Sequence, residues 1–273
     1  MLLHFTKMHG LGNDFVIIDA RLKPVKLDEQ RVRALADRHT GVGCDQVITI
    51  EPARNGSADV FMRIHNSDGM EVAACGNGAR CVASIIASES GQRTVWIETL
   101  AGNLEADIQD ARTITIDMGV PELHWSRIPL AKEQDTLRLD VTSGLLRNPA
   151  AVNMGNPHAV AFVETPVEDV PLHEIGPQVE HLPMFPERVN FEVANVIDRG
   201  TVQARVWERG SGLTMACGTG ACAVAAIGRV RGITDDEVGV SLPGGELVIR
   251  WPGTGQLMLE GPVEKVFEGE WPD

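Results

Sequence analysis

One stretch of this 273-residue chain occurs twice, as Cys75-Gly-Asn-Gly-Ala-Arg-Cys-Val-Ala and as Cys217-Gly-Thr-Gly-Ala-Cys-Ala-Val-Ala. The copies lie 142 positions apart, and the echo extends upstream at the same offset: Arg63 and Arg205 open strand-like runs, and Ala74 and Ala216 precede the two cysteines. A second echo, at an offset of 143, pairs Gly12-Asn13 with Gly155-Asn156. Two copies at so long a period exclude a solenoid and predict a duplicated domain: two similar halves facing each other, each with a cysteine-headed helix.

Both copies run from Cys-Gly-x-Gly into an alanine-rich apolar stretch of strong helix formers, which places each thiol at a helix N-terminus. Unpaired backbone N–H groups and the peptide dipoles favour an anion there, whether a thiolate or a bound carboxylate. The glycines keep those N–H groups clear of side chains, so a ligand can come close.

The chain is long enough for two domains of ordinary size. Its net charge of −14 and pI near 5.0 argue against nucleic acid or an anionic membrane as a partner and leave small polar substrates open. There is no apolar run of membrane-spanning length, and the N-terminus lacks the layout of a signal peptide, so a cytoplasmic address is expected. Five cysteines, an odd number, fit a reducing compartment better than a disulfide framework. The cysteine spacings match neither a zinc knuckle nor a redox pair, and the eight histidines are scattered, so no metal is expected.

Along the chain, strands are expected at 2–8 and 15–19, then a helix from an Asp28 N-cap to about His39, then strands at 46–51 and 58–65 before the first cysteine helix ends near Gly91. Residues 94–99, 103–108 and 112–118 alternate as a meander. The second half repeats this order, with strands near 138–143, 150–154, 158–163, 188–197 and 201–208, a helix near 172–181, the second cysteine helix, and hairpins to about residue 260. The fold class is therefore α/β in the α+β sense. Two pseudo-symmetric domains are expected, each a curved, mostly antiparallel sheet wrapped around a buried central helix. The N-terminal half spans 1–120 and is completed by 262–273; the C-terminal half spans 121–261, with the active site in the cleft between them.

Cys44, Cys81 and Cys222 read as inert core residues. Cys75 and Cys217 do not, because both stand ahead of their helix and lead into Gly-x-Gly. Lowering a thiol pKa from about 8.5 to about 7 takes roughly 2 kcal/mol, the upper end of what a helix terminus supplies. Two acid/base thiols on opposite sides of one carbon are what stereoinversion needs, one removing a proton and the other delivering one to the opposite face. The backbone N–H groups of Gly76, Asn77, Gly218 and Thr219 could hold the carboxylate into which the charge spreads. The few lysines lie outside these motifs, and the Gly-x-Gly elements at 10–12 and 41–43 lack a dinucleotide context, so no cofactor is expected.

The segments MHGLGNDFV (8–16), NSDG (66–69), ACGNGARC (74–81), GNPHAV (155–160) and WERGSG followed by ACGTGACA (207–223) closely resemble diaminopimelate epimerase, in order and along nearly the whole chain. The resemblance implies a homodimeric, cofactor-free isomerase that interconverts LL- and meso-2,6-diaminopimelate in lysine and cell-wall precursor synthesis. It implies that Cys75 and Cys217 are the acid/base thiols, with His158 and Glu208 helping to set their protonation. It further implies that Asn13, Gln46, Asn66, Asn156, Asn190, Glu208 and Arg209 bind substrate together with Gly76, Asn77, Gly218 and Thr219. A substrate with an ammonium and a carboxylate at each end suits that set of acid, guanidinium and neutral amides.

The chain departs from the family pattern at His65, Trp207 and Leu213, and Phe267 stands where some members carry a tyrosine at the dimer contact. Read as residues alone, the asparagines are also common turn formers and Glu208-Arg209 an ordinary surface pair. Two rivals share parts of the pattern: a proline or hydroxyproline racemase-type enzyme, which also uses two thiols, and a non-catalytic amino-acid-binding protein. Asn66, Asn190 and Arg209 argue against the first, because a cyclic monocarboxylic substrate would leave them unpaired.

Overall fold

The computed structural model describes residues 2–73, 75–143 and 146–272; Ala74, the expected echo of Ala216, lies outside them. In chain order the first part comprises β1 (Leu2–Gly10), β2 (Asn13–Asp19), α1 (Glu29–Ala36), β3 (Gln46–Pro52), β4 (Val60–Asn66), β5 (Glu71–Val72), α2 (Gly76–Ser90), β6 (Thr94–Thr99), β7 (Gly102–Ile108) and β8 (Thr113–Asp117). There follow β9 (Thr142–Ser143), β10 (Leu146–Arg147), β11 (Ala150–Asn153), β12 (Pro157–Val163), α3 (Leu172–Glu180), β13 (Asn190–Asp198), β14 (Thr201–Glu208) and β15 (Gly212–Leu213). The chain closes with α4 (Gly218–Val230), β16 (Glu237–Leu242), β17 (Gly245–Arg250), β18 (Met258–Pro262) and β19 (Glu264–Pro272).

Two compact units result, one formed by Met1–Asp117 with Glu260–Asp273, the other by Met118–Leu259, against expected joins after residues 120 and 261. In the first unit β1 pairs antiparallel with β2 on one side and with β19 on the other. Next, β2 runs parallel to β3, β3 antiparallel to β4, and β4 pairs antiparallel with β5 and parallel with β6, which leads into the β6–β7–β8 meander. The second unit repeats the scheme. There β11 is antiparallel to β12, β12 parallel to β13, β13 antiparallel to β14, and β14 pairs antiparallel with β15 and parallel with β16, which turns back into β17.

Each unit lays its sheet against its cysteine-headed helix, and α1 in the first unit and α3 in the second also contact their sheets. In the first, α2 contacts β1, β2, β6, β7 and β8; in the second, α4 contacts β11, β12, β13, β14, β16 and β17. Helix α4 is buried along almost its whole length, as a helix that is apolar nearly all round must be. Only Asn77–Ala83 and Ile86 of α2 are buried, and its last turn, Ser88-Glu-Ser90, faces solvent. Full burial was expected of both helices; the polar end of α2 explains the difference.

Three further expectations shift. The first two strands run to Gly10 and from Asn13, leaving Leu11-Gly12 as a two-residue turn with φ of 56° and 82°. Positive φ at both central residues is the turn geometry that matches the strands' twist. Helix α1 stops at Ala36 rather than near His39, because the Asp37 carboxylate accepts from the backbone N–H of His39 and Thr40 at 2.8 and 2.7 Å and draws the chain off the helical path. Of the strand expected near 138–143 only Thr142–Ser143 (β9) forms, paired antiparallel with β10.

Candidate active site

Each thiol caps its own helix. Cys75 has extended backbone (φ −151°), its Sγ accepts from the Gly78 N–H at 3.4 Å, and its carbonyl accepts the first intrahelical bond, from Ala79. Cys217 repeats this with φ −125°, Gly220 at 3.4 Å and Ala221. The sulfur thus takes the place of the oxygen of a Ser or Asp cap, and the next N–H groups, at Gly76 and Asn77 or Gly218 and Thr219, lie in the first helical turn with its partial positive charge.

In the first unit the expected substrate residues form two linked groups. Asn77 Nδ2 donates to Asn13 Oδ1 at 3.1 Å, and Asn13 Nδ2 donates to Asp45 at 2.9 Å. The fully buried Arg80 guanidinium donates to Asn77 Oδ1 at 2.9 Å. On neighbouring strands, Gln46 Nε2 donates to Asn66 Oδ1 at 2.9 Å, as their register requires. Beneath the thiol the floor is apolar: a Cβ added at Gly78 would lie 2.7 Å from Ile48 Cδ1 and 3.6 Å from Phe15 Cε1.

The second unit places different chemistry at the same positions. Strand register sets Phe15 opposite Gln46 and His158 opposite Asn190, so Phe15 corresponds to His158 and Ile48 to Glu192. The floor beneath Cys217 is therefore a buried His158–Glu192 pair, with Nδ1 2.7 Å from Oε1 and neither side chain exposed. A Cβ at Gly220 would meet Glu192 Oε1 at 3.0 Å and Val206 Cγ2 at 3.1 Å. The other ring nitrogen of His158 lies 2.8 Å from Asn156 Oδ1. Asn190 donates to the Pro157 carbonyl and accepts from the Arg209 N–H, while Glu208 accepts from the Thr214 hydroxyl at 2.6 Å. Arg209 is exposed, and its guanidinium reaches the Glu187 carbonyl at 2.9 Å.

Electrostatics follow from these neighbours. Burial, reinforced by the carboxylates of Glu208 and Glu192, pushes the Cys217 thiol well above its ordinary pKa; the Thr219 hydroxyl and Gly220 N–H oppose this but do not prevail. The helix terminus, which from the sequence could lower a thiol, is outweighed here by burial, since Cys217 is only 6% exposed. Burial also raises the carboxyl groups of Glu192 and Glu208, the latter against a hydrogen bond from Thr214. Cys44 and Cys81 are pushed up to about 12 by burial, as core thiols are. Sequence reasoning missed Glu192, Asp45, Arg80 and Thr214, each of which hydrogen-bonds to an expected site residue. A groove of about 540 Å³ in the second unit, flanked by Arg205, Leu213 and Met215, is lined by none of the expected substrate residues. Among the described residues no helix is long and apolar enough to cross a membrane.

The sequence model of the family described as diaminopimelate epimerase matches residues 5–124 and 150–266. The chain belongs to the diaminopimelate epimerase family. It is 49% identical over 270 residues to the diaminopimelate epimerase of Rhodospirillum centenum, a match covering 99% of this chain and 92% of that one. Among solved structures, a phenazine biosynthesis protein of Bacillus anthracis aligns over the full length of both chains with a TM-score of 0.72 at 18% identity. A hydroxyproline epimerase of Agrobacterium vitis aligns over 98% of this chain and 92% of that one, with a TM-score of 0.72 at 15% identity. At such identities the likeness is one of fold, so the diaminopimelate epimerase family shares its architecture with proteins of other named activities.

Proposed function

We propose that this protein is an isomerase interconverting LL- and meso-2,6-diaminopimelate without a cofactor, with Cys75 and Cys217 as its acid/base pair. Membership of the family, at 49% identity to a named diaminopimelate epimerase, is the observation that carries the reading. The duplicated thiol caps supply its chemistry. In one direction a Cys75 thiolate takes the α-proton and the Cys217 thiol delivers its own to the opposite face; the two sulfurs exchange roles in the reverse direction. The raised pKa of Cys217 suits it to begin as the donor.

The carbanion's charge passes into the substrate carboxylate, held by the N–H groups of Gly76, Asn77, Gly218 and Thr219. Glu208 suits an ammonium group and Arg209 a carboxylate, with Asn13, Gln46, Asn66, Asn156 and Asn190 as neutral partners and His158 beside Asn156. A homodimer in the cytoplasm, serving lysine and cell-wall precursor synthesis, is the expected setting.

The decisive measurement is exchange in heavy water. The α-hydrogen of LL-diaminopimelate should be replaced by deuterium, with meso product appearing and no cofactor added, while proline under the same conditions should not exchange. Exchange of proline in place of diaminopimelate would move the assignment to the racemase-type rival, and exchange of neither would remove the enzyme reading.

A further inference from the structure

We propose that Glu192 is a positioning residue: through His158 it fixes the side-chain amide of Asn156 so that the N–H₂ group, and not the carbonyl, meets a substrate carboxylate. The proposal rests on the assignment of Asn156 to substrate binding made above. It starts from the difference between the two units. At equivalent register the first unit has Phe15 and Ile48, a pair that needs no hydrogen bonds, whereas the second buries an imidazole and a carboxylate completely. Burying two polar groups where two apolar ones suffice costs stability unless they do something else.

What they do follows from donor and acceptor counting. Asn156 Oδ1, 2.8 Å from His158 Nε2, can only accept, so Nε2 must carry a proton. Nδ1 and Glu192 Oε1, 2.7 Å apart, then hold one proton between them, on the ring or on the carboxyl group. As an acid Glu192 donates to Nδ1 of a ring protonated on Nε2, and as a carboxylate it balances a ring protonated on both nitrogens; burial, which raises its carboxyl group, disfavours the remaining state, a carboxylate beside a ring protonated on Nδ1 alone. Its second oxygen, Oε2, has no hydrogen-bond partner among the described residues, so the carboxyl group is committed to the histidine.

The consequence reaches Asn156. With Oδ1 tied to Nε2–H, Nδ2 makes no hydrogen bond among the described residues and is left as a donor for a ligand. Were the imidazole to carry its proton on Nδ1 alone, Nε2 would accept, the amide would turn over to donate to it, and Asn156 would offer an oxygen to the incoming carboxylate. Two acceptors facing each other repel, so the proton position on one buried ring decides whether this asparagine attracts or rejects the substrate.

Two kinds of measurement test this. Nitrogen-15 spectra of histidine-labelled protein, with the His158 signals assigned by their loss in His158→Phe, should show Nε2 protonated without any substrate present. Glu192→Gln replaces the carboxyl O–H with an amide N–H donor for Nδ1, so it should preserve that signature and leave KM and kcat within about threefold of wild type. Glu192→Leu should lose the signature and raise KM for diaminopimelate about tenfold, with a smaller change in kcat. The double variant His158→Phe with Glu192→Ile installs the first unit's own pair, so it should fold at least as well as wild type and show the same rise in KM. An unprotonated Nε2 in the wild type overturns the proposal, as does a Gln variant as impaired as the Leu variant. A fall in kcat at constant KM would overturn it too, placing Glu192 with the thiol instead. The spectra need no turnover, so a failed assignment of the reaction would show separately, as wild-type protein that does not exchange deuterium.

Discussion

Asp14 sits among charges that hold the first turn in place. Burial would raise its carboxyl group, but hydrogen bonds from Arg38 and Lys7 outweigh it and hold the pKa at about 2. Lys7 Nζ lies 2.5 Å from Asp14 and Arg38 reaches both Asp14 and Asp45, so the same network steadies Asn13 through Asp45. Since the folded pKa lies below the ordinary value of 3.8, the stabilisation is complete above about pH 4 and is lost as pH falls through 2. It amounts to about 2 kcal/mol. Asp14→Asn should therefore cost about that much at pH 7, and its deficit should shrink as pH falls from 4 toward 2; urea titrations at several pH values measure this. At this scale the sequence was partly legible. The two thiols announce themselves because glycines cannot pack a core, whereas Glu192 sits in Asn190-Phe-Glu-Val, where alternation makes a glutamate read as solvent-facing. Its partner is 34 residues away. Only setting the two halves side by side, with Ile48 against Glu192, would have marked it.

In the proposed mechanism helix starts carry the chemistry, which makes folding and activity separable. A cysteine is an unusual N-cap, and serine is among the preferred ones, so Cys217→Ser should retain the cap with its hydroxyl accepting from Gly220. The variant should match or exceed the wild-type denaturation midpoint while losing activity by about 10²- to 10⁴-fold, the usual share of an acid/base group. Calorimetry paired with the epimerase assay checks this, and a parallel loss of both would mean that the sulfur's role is structural. The starts of α2 and α4 were readable because Cys-Gly-x-Gly gives way abruptly to alanine-rich sequence. The end of α1 was not, because one aspartate side chain competing for two backbone N–H groups leaves no mark in the periodicity.

For the molecule as a whole, the duplication was legible as an offset between motifs, and the pairings from β1–β2 to β6–β7 are repeated from β11–β12 to β16–β17. What it did not convey is how much each unit relies on distant sequence. Strand β19 pairs along β1 from Leu2↔Pro272 to His9↔Glu264, and Phe267 sets its ring edge-on to Phe5 at 5.9 Å. Removing residues 264–273 should strip β1 of that partner and expose the side of Phe5, now only 7% exposed. Hydrogen exchange should then accelerate across residues 2–117, while strands β11–β17, which pair with one another, keep their protection.

That strand also imposes a timetable on the chain during synthesis. Strand β1 is synthesised ahead of the second unit, yet its outer partner is made only after every residue of that unit has been added. The later-made unit can therefore finish first, and the earlier one must wait with an open edge and Phe5 unmatched until β19 follows.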